Sequence, residues 1–212
     1  MTVEEVLALP DEKPAFELIE GVVSRKISPT GEHGGLQGEW FWPIESRIRG
    51  ARLGRTFPET RLVLDGRVLV PDLMVYRWDR VPRDADGRLP SIFNTPPDLV
   101  VEISSPGQST RAQADHCRWL VARNVRLAVL VQPRTRTVRL FRADGETEEI
   151  PRRGVIDLAP ALPGVTLELE PIFGATEANP DQAARDLDPS APCADCRAGR
   201  TGPLATRARK GR

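Results

Sequence analysis

Two apolar runs, each carrying one acid, dominate the hydrophobic pattern of this chain. RVLVPDLMVYRW (67–78) and PPDLVVEISSPG (96–107) read as short buried strands, with Val70, Leu73, Val75 and Tyr76 in the first and Leu99, Val100, Val101 and Ile103 in the second. Asp72 opens the apolar part of the first and Glu102 nearly closes the second. Acidic side chains are among the least often buried, and a carboxylate in such surroundings stays ionised only beside a cation, a metal or several hydrogen-bond donors. The pair has two readings: a metal site, or strand-end acids paired with arginines.

Around these runs the pattern predicts alternating strands and helices. Thr2 and Glu5 form a capping box for a short helix over Val3–Leu9, stopped by Pro10. FELIEGVVSRKI gives two short strands about Glu20-Gly21, with Glu17 on the first. Residues 31–50 predict a helix whose Leu36, Trp40, Ile44 and Ile48 recur every four positions, and Pro43 should kink or break it. RTFPETRLVLD (55–65) reads as a strand broken by Pro58, Asp65-Gly66 as a turn, and 77–95 as a long polar loop. Ser109–Arg123 predicts a helix with Ala112, His116, Trp119 and Leu120 on one face. RLAVLVQP (126–133) has the unbroken apolar pattern of a strand covered on both sides. Strands over 137–142 and 164–169 follow, with a weaker one after the Asp144-Gly145 turn. The order is that of a layered α/β domain over 1–174. From Ala175 to Arg212 the chain turns to Asp, Pro, Ala, Gly and Arg and reads as a disordered, arginine-rich tail.

Composition narrows this picture only a little. The 212 residues, 40% apolar, suit one core and a polar tail better than two cores. Thirty basic residues cancel thirty acidic ones, so any surface for a polyanion must be local. Cys117, Cys193 and Cys196 are too few for a disulfide framework and point to a reducing compartment. The start MTVEEVLALPDEK does not have the pattern of a signal peptide, and no apolar run approaches the roughly 20 residues that span a bilayer. The expectation is a cytoplasmic protein with no membrane partner.

Asp72 and Glu102, with Glu17 as a third oxygen donor, would suit a hard divalent cation such as Mg²⁺ or Mn²⁺, which polarises a phosphoryl group and acidifies an attacking water. Of the two histidines, His116 reads as a hydrogen-bonded core or boundary residue, and His33, at the start of the long helix amid glycines, as a surface or cap residue. Ser104, Ser105 and Ser109 have no Gly-x-Ser-x-Gly elbow around them and read as caps. Cys193 and Cys196 have the spacing of half a zinc knuckle with no second half. No phosphate loop or dinucleotide fingerprint is present, so no organic cofactor is expected.

FELIEGVV (16–23), SPTGEHGGLQG (28–38), VLVPDLMVY (68–76), PPDLVVEISSP (96–106), the helix after it and VRLAVLVQPRTRTVRLFR (125–142) occur in an order that resembles the Uma2 family of the PD-(D/E)XK, restriction-endonuclease-like superfamily. The resemblance implies a restriction-endonuclease-like core, a mixed central sheet flanked by helices. It further implies metal-dependent hydrolysis of DNA, with Asp72 and Glu102 on the metal, Glu17 completing or supporting the shell, and a homodimer as a partner state it leaves open. The family's fourth residue is a lysine in the helix after the SSP segment. Counted back from Asn124-Val125, that position holds His116, a departure compatible with a general base, with a nitrogen ligand, or with a weakened nuclease that binds nucleic acid or protein without turnover. Leu120, where the family commonly has tyrosine, and Pro43 depart in packing rather than chemistry.

Overall fold

A computed structural model gives the structure of residues 1–10, 12–26 and 30–175. The expected tail, with Cys193 and Cys196, lies outside the described residues apart from Ala175. Helix α1 (Val3–Leu7) starts on the capping box: Thr2 Oγ1 accepts from Glu5 N, and Thr2 N donates to the Glu5 carboxylate. Strands β1 (Phe16–Ile19) and β2 (Val22–Arg25) form a two-residue hairpin with Glu20 and Gly21 both at positive φ. Here the turn succeeds without a favoured dipeptide, because glycine takes its second left-handed position at no steric cost.

Helix α2 (Gly31–Gly50) has the expected bounds and runs on unbroken through Pro43. Its Leu36, Trp40, Ile44 and Ile48 are fully buried, so packing on both sides of the proline holds the helix in one piece at the expense of one backbone hydrogen bond. Pro58 separates two strands that go to different sheets: β3 (Gly54–Pro58) and β4 (Leu62–Leu64). Asp65 and Gly66, again both at positive φ, turn β4 into β5 (Arg67–Leu69). Strand β6 (Leu73–Arg77) leads into 78–95, which is less polar in effect than its composition. Phe93 is buried there, edge-on to Phe57 and Tyr76 at 4.9 and 5.4 Å between ring centres.

The second half supplies β7 (Leu99–Ile103), α3 (Thr110–Val121), β8 (Leu127–Gln132) and β9 (Thr137–Arg142). After these come β10 (Gly145–Glu146), β11 (Ile150–Pro151), β12 (Val155–Asp157), β13 (Thr166–Glu168) and α4 (Leu169–Gly174). Among the described residues the main sheet has seven strands, in the order β10-β9-β8-β7-β6-β3 with β11 also on β9. Only β7 and β8, joined by α3, run parallel in it, so the sheet is mixed. A smaller antiparallel sheet, β2-β1-β5-β4, carries Glu17, and β12 pairs with β13.

Period-two alternation decides what each face meets. Leu73, Val75, Leu99, Val101 and Ile103 pack with the apolar stripe of α2, whereas Met74, Tyr76, Val100, Ala128 and Leu130 pack with α3. The buried residues of α3 are Ala114, Cys117 and Leu120; of the stripe expected from spacing, Leu120 alone belongs to the core, and Ala112, His116 and Trp119 turn to the flank. Ser109 caps this helix, accepting from Ala112 N at 3.3 Å. No described helix is long and apolar enough to cross a membrane.

Candidate functional site

Glu102 falls on the same face of β7 as Val100, the face that α3 covers, at the open end of the strand. Its carboxylate Oε1 therefore meets His116 Nε2, at 3.4 Å. Asp72 stands just before β6, where Leu73 is paired with Val101, and its Oδ2 accepts the Ile103 N–H at 2.7 Å. Glu17 comes from the other sheet. Its Oε1 accepts from Val70 N at 3.0 Å, which ties β1 to the segment leading to Asp72. Glu17, Asp72, Glu102 and His116 all line one cleft of about 740 Å³.

The chain adds partners that spacing did not single out. Lys26, just past β2, reaches Asp72 Oδ1 at 2.6 Å, Val70 O at 2.7 Å and Glu59 Oε1 at 2.9 Å. His33, expected at the surface or as a cap, is buried: Nε2 lies 3.2 Å from Asp72 Oδ1 and Nδ1 3.2 Å from Ser105 Oγ. The backbone of His33 is capped by Thr30, so the ring is free to point inward. Ser105 is thereby a partner of His33 rather than a helix cap. Both residues were within reach of pattern arguments. His33 continues the stripe of Leu36, Trp40 and Ile44 by one turn, and Lys26 has the parity of Ser24, which is cross-strand from Glu17.

Burial pushes the Asp72 carboxyl upward, but the hydrogen bond with His33 and the Lys26 ammonium outweigh it and hold the group below the usual aspartate range. Burial opposes the charge on Lys26, and Asp72 with Glu102 reverses that, so the lysine holds its proton more tightly than usual. Glu17 is moved the other way. Burial raises its carboxyl, the Val70 N–H lowers it, and the negative charge of Glu102 raises it again, for a net rise.

In donor type, the carboxylates of Asp72, Glu102 and Glu17 are oxygen ligands of the kind a hard cation takes. Three carboxylates face the cleft at its inner wall against the single ammonium of Lys26, and Glu17 is left with a raised proton affinity by burial first and by the charge of Glu102 second, the latter of which a divalent ion would relieve. Among the described residues, the group whose ligand atoms lie within 4.8 Å of one another is His33, Glu59 and Asp72 rather than Glu17, Asp72 and Glu102, and there Lys26 already supplies the positive charge. Asp98, the other acid of the PPDLVVE run, takes the bland alternative: fully buried, it accepts from Arg77 N at 2.8 Å and pairs with Arg80 and Arg126. On the rim, the Arg67 and Arg123 guanidinium carbons sit 3.9 and 4.1 Å from the centre of the Trp119 ring, and His116 lies nearly parallel to that ring at 6.3 Å.

The profile of the Uma2 family, described as "Putative restriction endonuclease", matches residues 3–170. Among solved structures, the chain is similar to "a putative nuclease belonging to DUF820" from Anabaena variabilis, at 30% identity and a TM-score of 0.78, covering 84% of this chain and 99% of that one. A DrdV–DNA complex also matches, at 14% identity and a TM-score of 0.34 over 68% of this chain and 12% of that one, a likeness too slight to carry any argument. No curated protein matches the chain. The mixed sheet between α2 and α3 is the restriction-endonuclease-like core that the sequence implied, and the chain belongs to the Uma2 family.

Proposed function

We propose that this protein is a nuclease that hydrolyses DNA phosphodiester bonds with a divalent cation, Mg²⁺ or Mn²⁺, held by Asp72 and Glu102 and supported by Glu17. The observation that carries this reading is the arrival of those three carboxylates, from two different sheets, at one open cleft with less positive than negative charge. The cation, when bound, polarises the phosphoryl group and lowers the pKa of an attacking water. The chain's own groups do the rest. The Ile103 N–H and His33 hold the Asp72 carboxylate in a fixed orientation. Glu102 Oε1, 3.4 Å from His116 Nε2, keeps a proton on that nitrogen, which leaves Nδ1 of the neutral ring as the position that can take one from water. Arg25 on the rim offers charge to backbone phosphates without sequence preference.

Supercoiled plasmid and single- and double-stranded oligonucleotides, incubated with Mg²⁺ or Mn²⁺ and with chelator as control, test the proposal. Cleavage that needs the metal is expected, with loss in D72A and E102A. Absence of cleavage on every substrate, together with Mn²⁺ binding that D72A and E102A leave unchanged, would sink it. His116 in place of the family's lysine favours one second reading, a domain that binds nucleic acid without cutting it. Salt-dependent DNA binding without turnover, indifferent to E102A, selects that reading.

A further inference from the structure

Attack on a phosphodiester spreads negative charge over the phosphoryl oxygens, and a nearby positive group stabilises it best when that charge persists across neutral pH. Helix α3 lines the cleft with Ala112, Gln113, Asp115, His116 and Trp119, and so offers it no lysine or arginine. Of the cations lining the cleft, Arg25 pairs with Glu12 at the rim, and Arg67 pairs with Glu20 and stacks on Trp119. Lys26 is the one held against the carboxylate of Asp72.

Its position follows from the chain. Lys26 N donates to Ala15 O at 2.8 Å, which extends the β1–β2 pairing by one step and turns the lysine to the side of Ser24 and Glu17. Val70 O, Asp72 Oδ1 and Glu59 Oε1 satisfy all three of its N–H donors. The side chain is 15% exposed yet still lines the cleft. Burying an ammonium this far costs free energy unless it is paired, and a lysine needed only for packing could be replaced by an apolar residue at less cost.

We infer that Lys26 is the fixed positive charge of this active site, brought from the end of β2 in place of the α3 position that His116 occupies, and that its ammonium exchanges the exposed Glu59 carboxylate for a non-bridging oxygen of the phosphodiester while keeping Asp72 and Val70 O. The inference rests on the nuclease reading above. Lys26 forms no bond and transfers no proton; it contributes charge. A lysine that only braces Asp72 would behave differently: its removal would disturb metal binding, and a cation supplied from α3 would not compensate.

The test uses the full chain as wild type, K26M, K26Q, K26R and K26M/H116K, with cleavage of DNA in Mn²⁺, Mn²⁺ binding by calorimetry, and circular dichroism for the fold. K26M is expected to bind Mn²⁺ at least as tightly as wild type while kcat falls about a hundredfold and KM stays put. K26R should keep more activity than K26M, and K26M/H116K should regain about tenfold over K26M. If K26M does not fold, K26Q, which keeps a donor for Asp72 without the charge, carries the same expectations. Cleavage by folded K26M or K26Q within about threefold of wild type, loss of Mn²⁺ binding in the folded variants, or no recovery in K26M/H116K overturns the inference. Wild type that binds Mn²⁺ but cuts no DNA overturns the nuclease reading and this inference with it, whereas undiminished cutting without Lys26 overturns this inference alone.

Discussion

The Asp72 carboxylate continues the ladder between β6 and β7: one residue before the Leu73–Val101 pair, its Oδ2 takes the Ile103 N–H at 2.7 Å. A side chain thus fills a place that a backbone carbonyl would otherwise hold, and it brings the acid beside Glu102. The other oxygen takes Lys26 and His33.

Replacing Asp72 by asparagine keeps an acceptor for Ile103 but leaves the Lys26 ammonium enclosed without its closest counter-charge. Breaking a buried pair from one side destabilises by about 3 kcal/mol. Urea unfolding of D72N at pH 7 in chelator should therefore fall short of wild type by about that much; a loss under about 1 kcal/mol would mean the pair is solvent-screened. The pH dependence has a definite sign. Asp72 titrates below its ordinary value of 3.8 in the folded chain, so its contribution is complete above that value and disappears as pH falls through the lowered one. The gap between wild type and D72N should close on acidification below 3.8 and not on alkalinisation.

His33 links Asp72 to Ser105 through its two ring nitrogens, each at 3.2 Å. When the ring is neutral, the ionised carboxylate keeps the proton on Nε2, and Nδ1 accepts from the Ser105 hydroxyl. Long-range ¹H–¹⁵N NMR should show the Nε2–H tautomer. An Nδ1–H form would mean that Ser105 accepts rather than donates, and that Asp72 loses a donor.

The strands, both long helices and the two acids of the central runs were legible because alternation and four-residue stripes report burial directly. Asp72 and Glu102 stood out since nothing in a core asks for them. Lys26 and His33 escaped for opposite reasons. Lys26 looks like one more charge at a strand end, and only alternation along β2 puts it on the side of Ser24, whose cross-strand partner is Glu17. His33 sits among glycines that suggest a helix start, although it is one turn from Leu36 and two from Trp40 on the buried stripe. On α3, Ala112, His116 and Trp119 satisfy helical spacing as well as Ala114 and Cys117 do, and which set is buried depends on the side that the sheet covers. Pro43 leaves the helix unbroken because buried side chains on either side of it outweigh the local backbone cost that its sequence signals.

Cys117 points into the core beside Ala114 and Leu120, and burial holds its thiol well above the ordinary value of 9.0, with Glu102 adding to the effect. The thiolate is the reactive form, so native Cys117 should alkylate on the order of a hundredfold more slowly at pH 8.5 than in the urea-unfolded chain. Peptide mapping after iodoacetamide labelling separates it from Cys193 and Cys196. Because the unfolded thiol ionises first, the fold should weaken as pH climbs above 9.0. Rapid labelling of the native chain would indicate that α3 opens from the sheet.

Arg25 and Arg67 both line the cleft but differ in how much of their charge water reaches. The Arg25 side chain is 46% exposed, pairs with the equally open Glu12 and lies 4.4 Å from the centre of the half-buried Phe16 ring, whereas Arg67 is 12% exposed, paired with Glu20 and packed over Trp119 at 3.9 Å. An exposed pair of that kind is worth little and is readily exchanged for a phosphate. R25A should therefore weaken DNA binding, measured with Ca²⁺ in place of Mg²⁺, and reduce the slope of log affinity against log salt by about 1 while leaving stability within about 0.5 kcal/mol of wild type. R67A should instead shift Trp119 fluorescence and lower stability by about 1 kcal/mol through the lost cation–π contact. An unchanged salt slope in R25A would remove the rim from the DNA-binding surface, and a reduced slope in R67A with no change at Trp119 would exchange the roles of the two arginines.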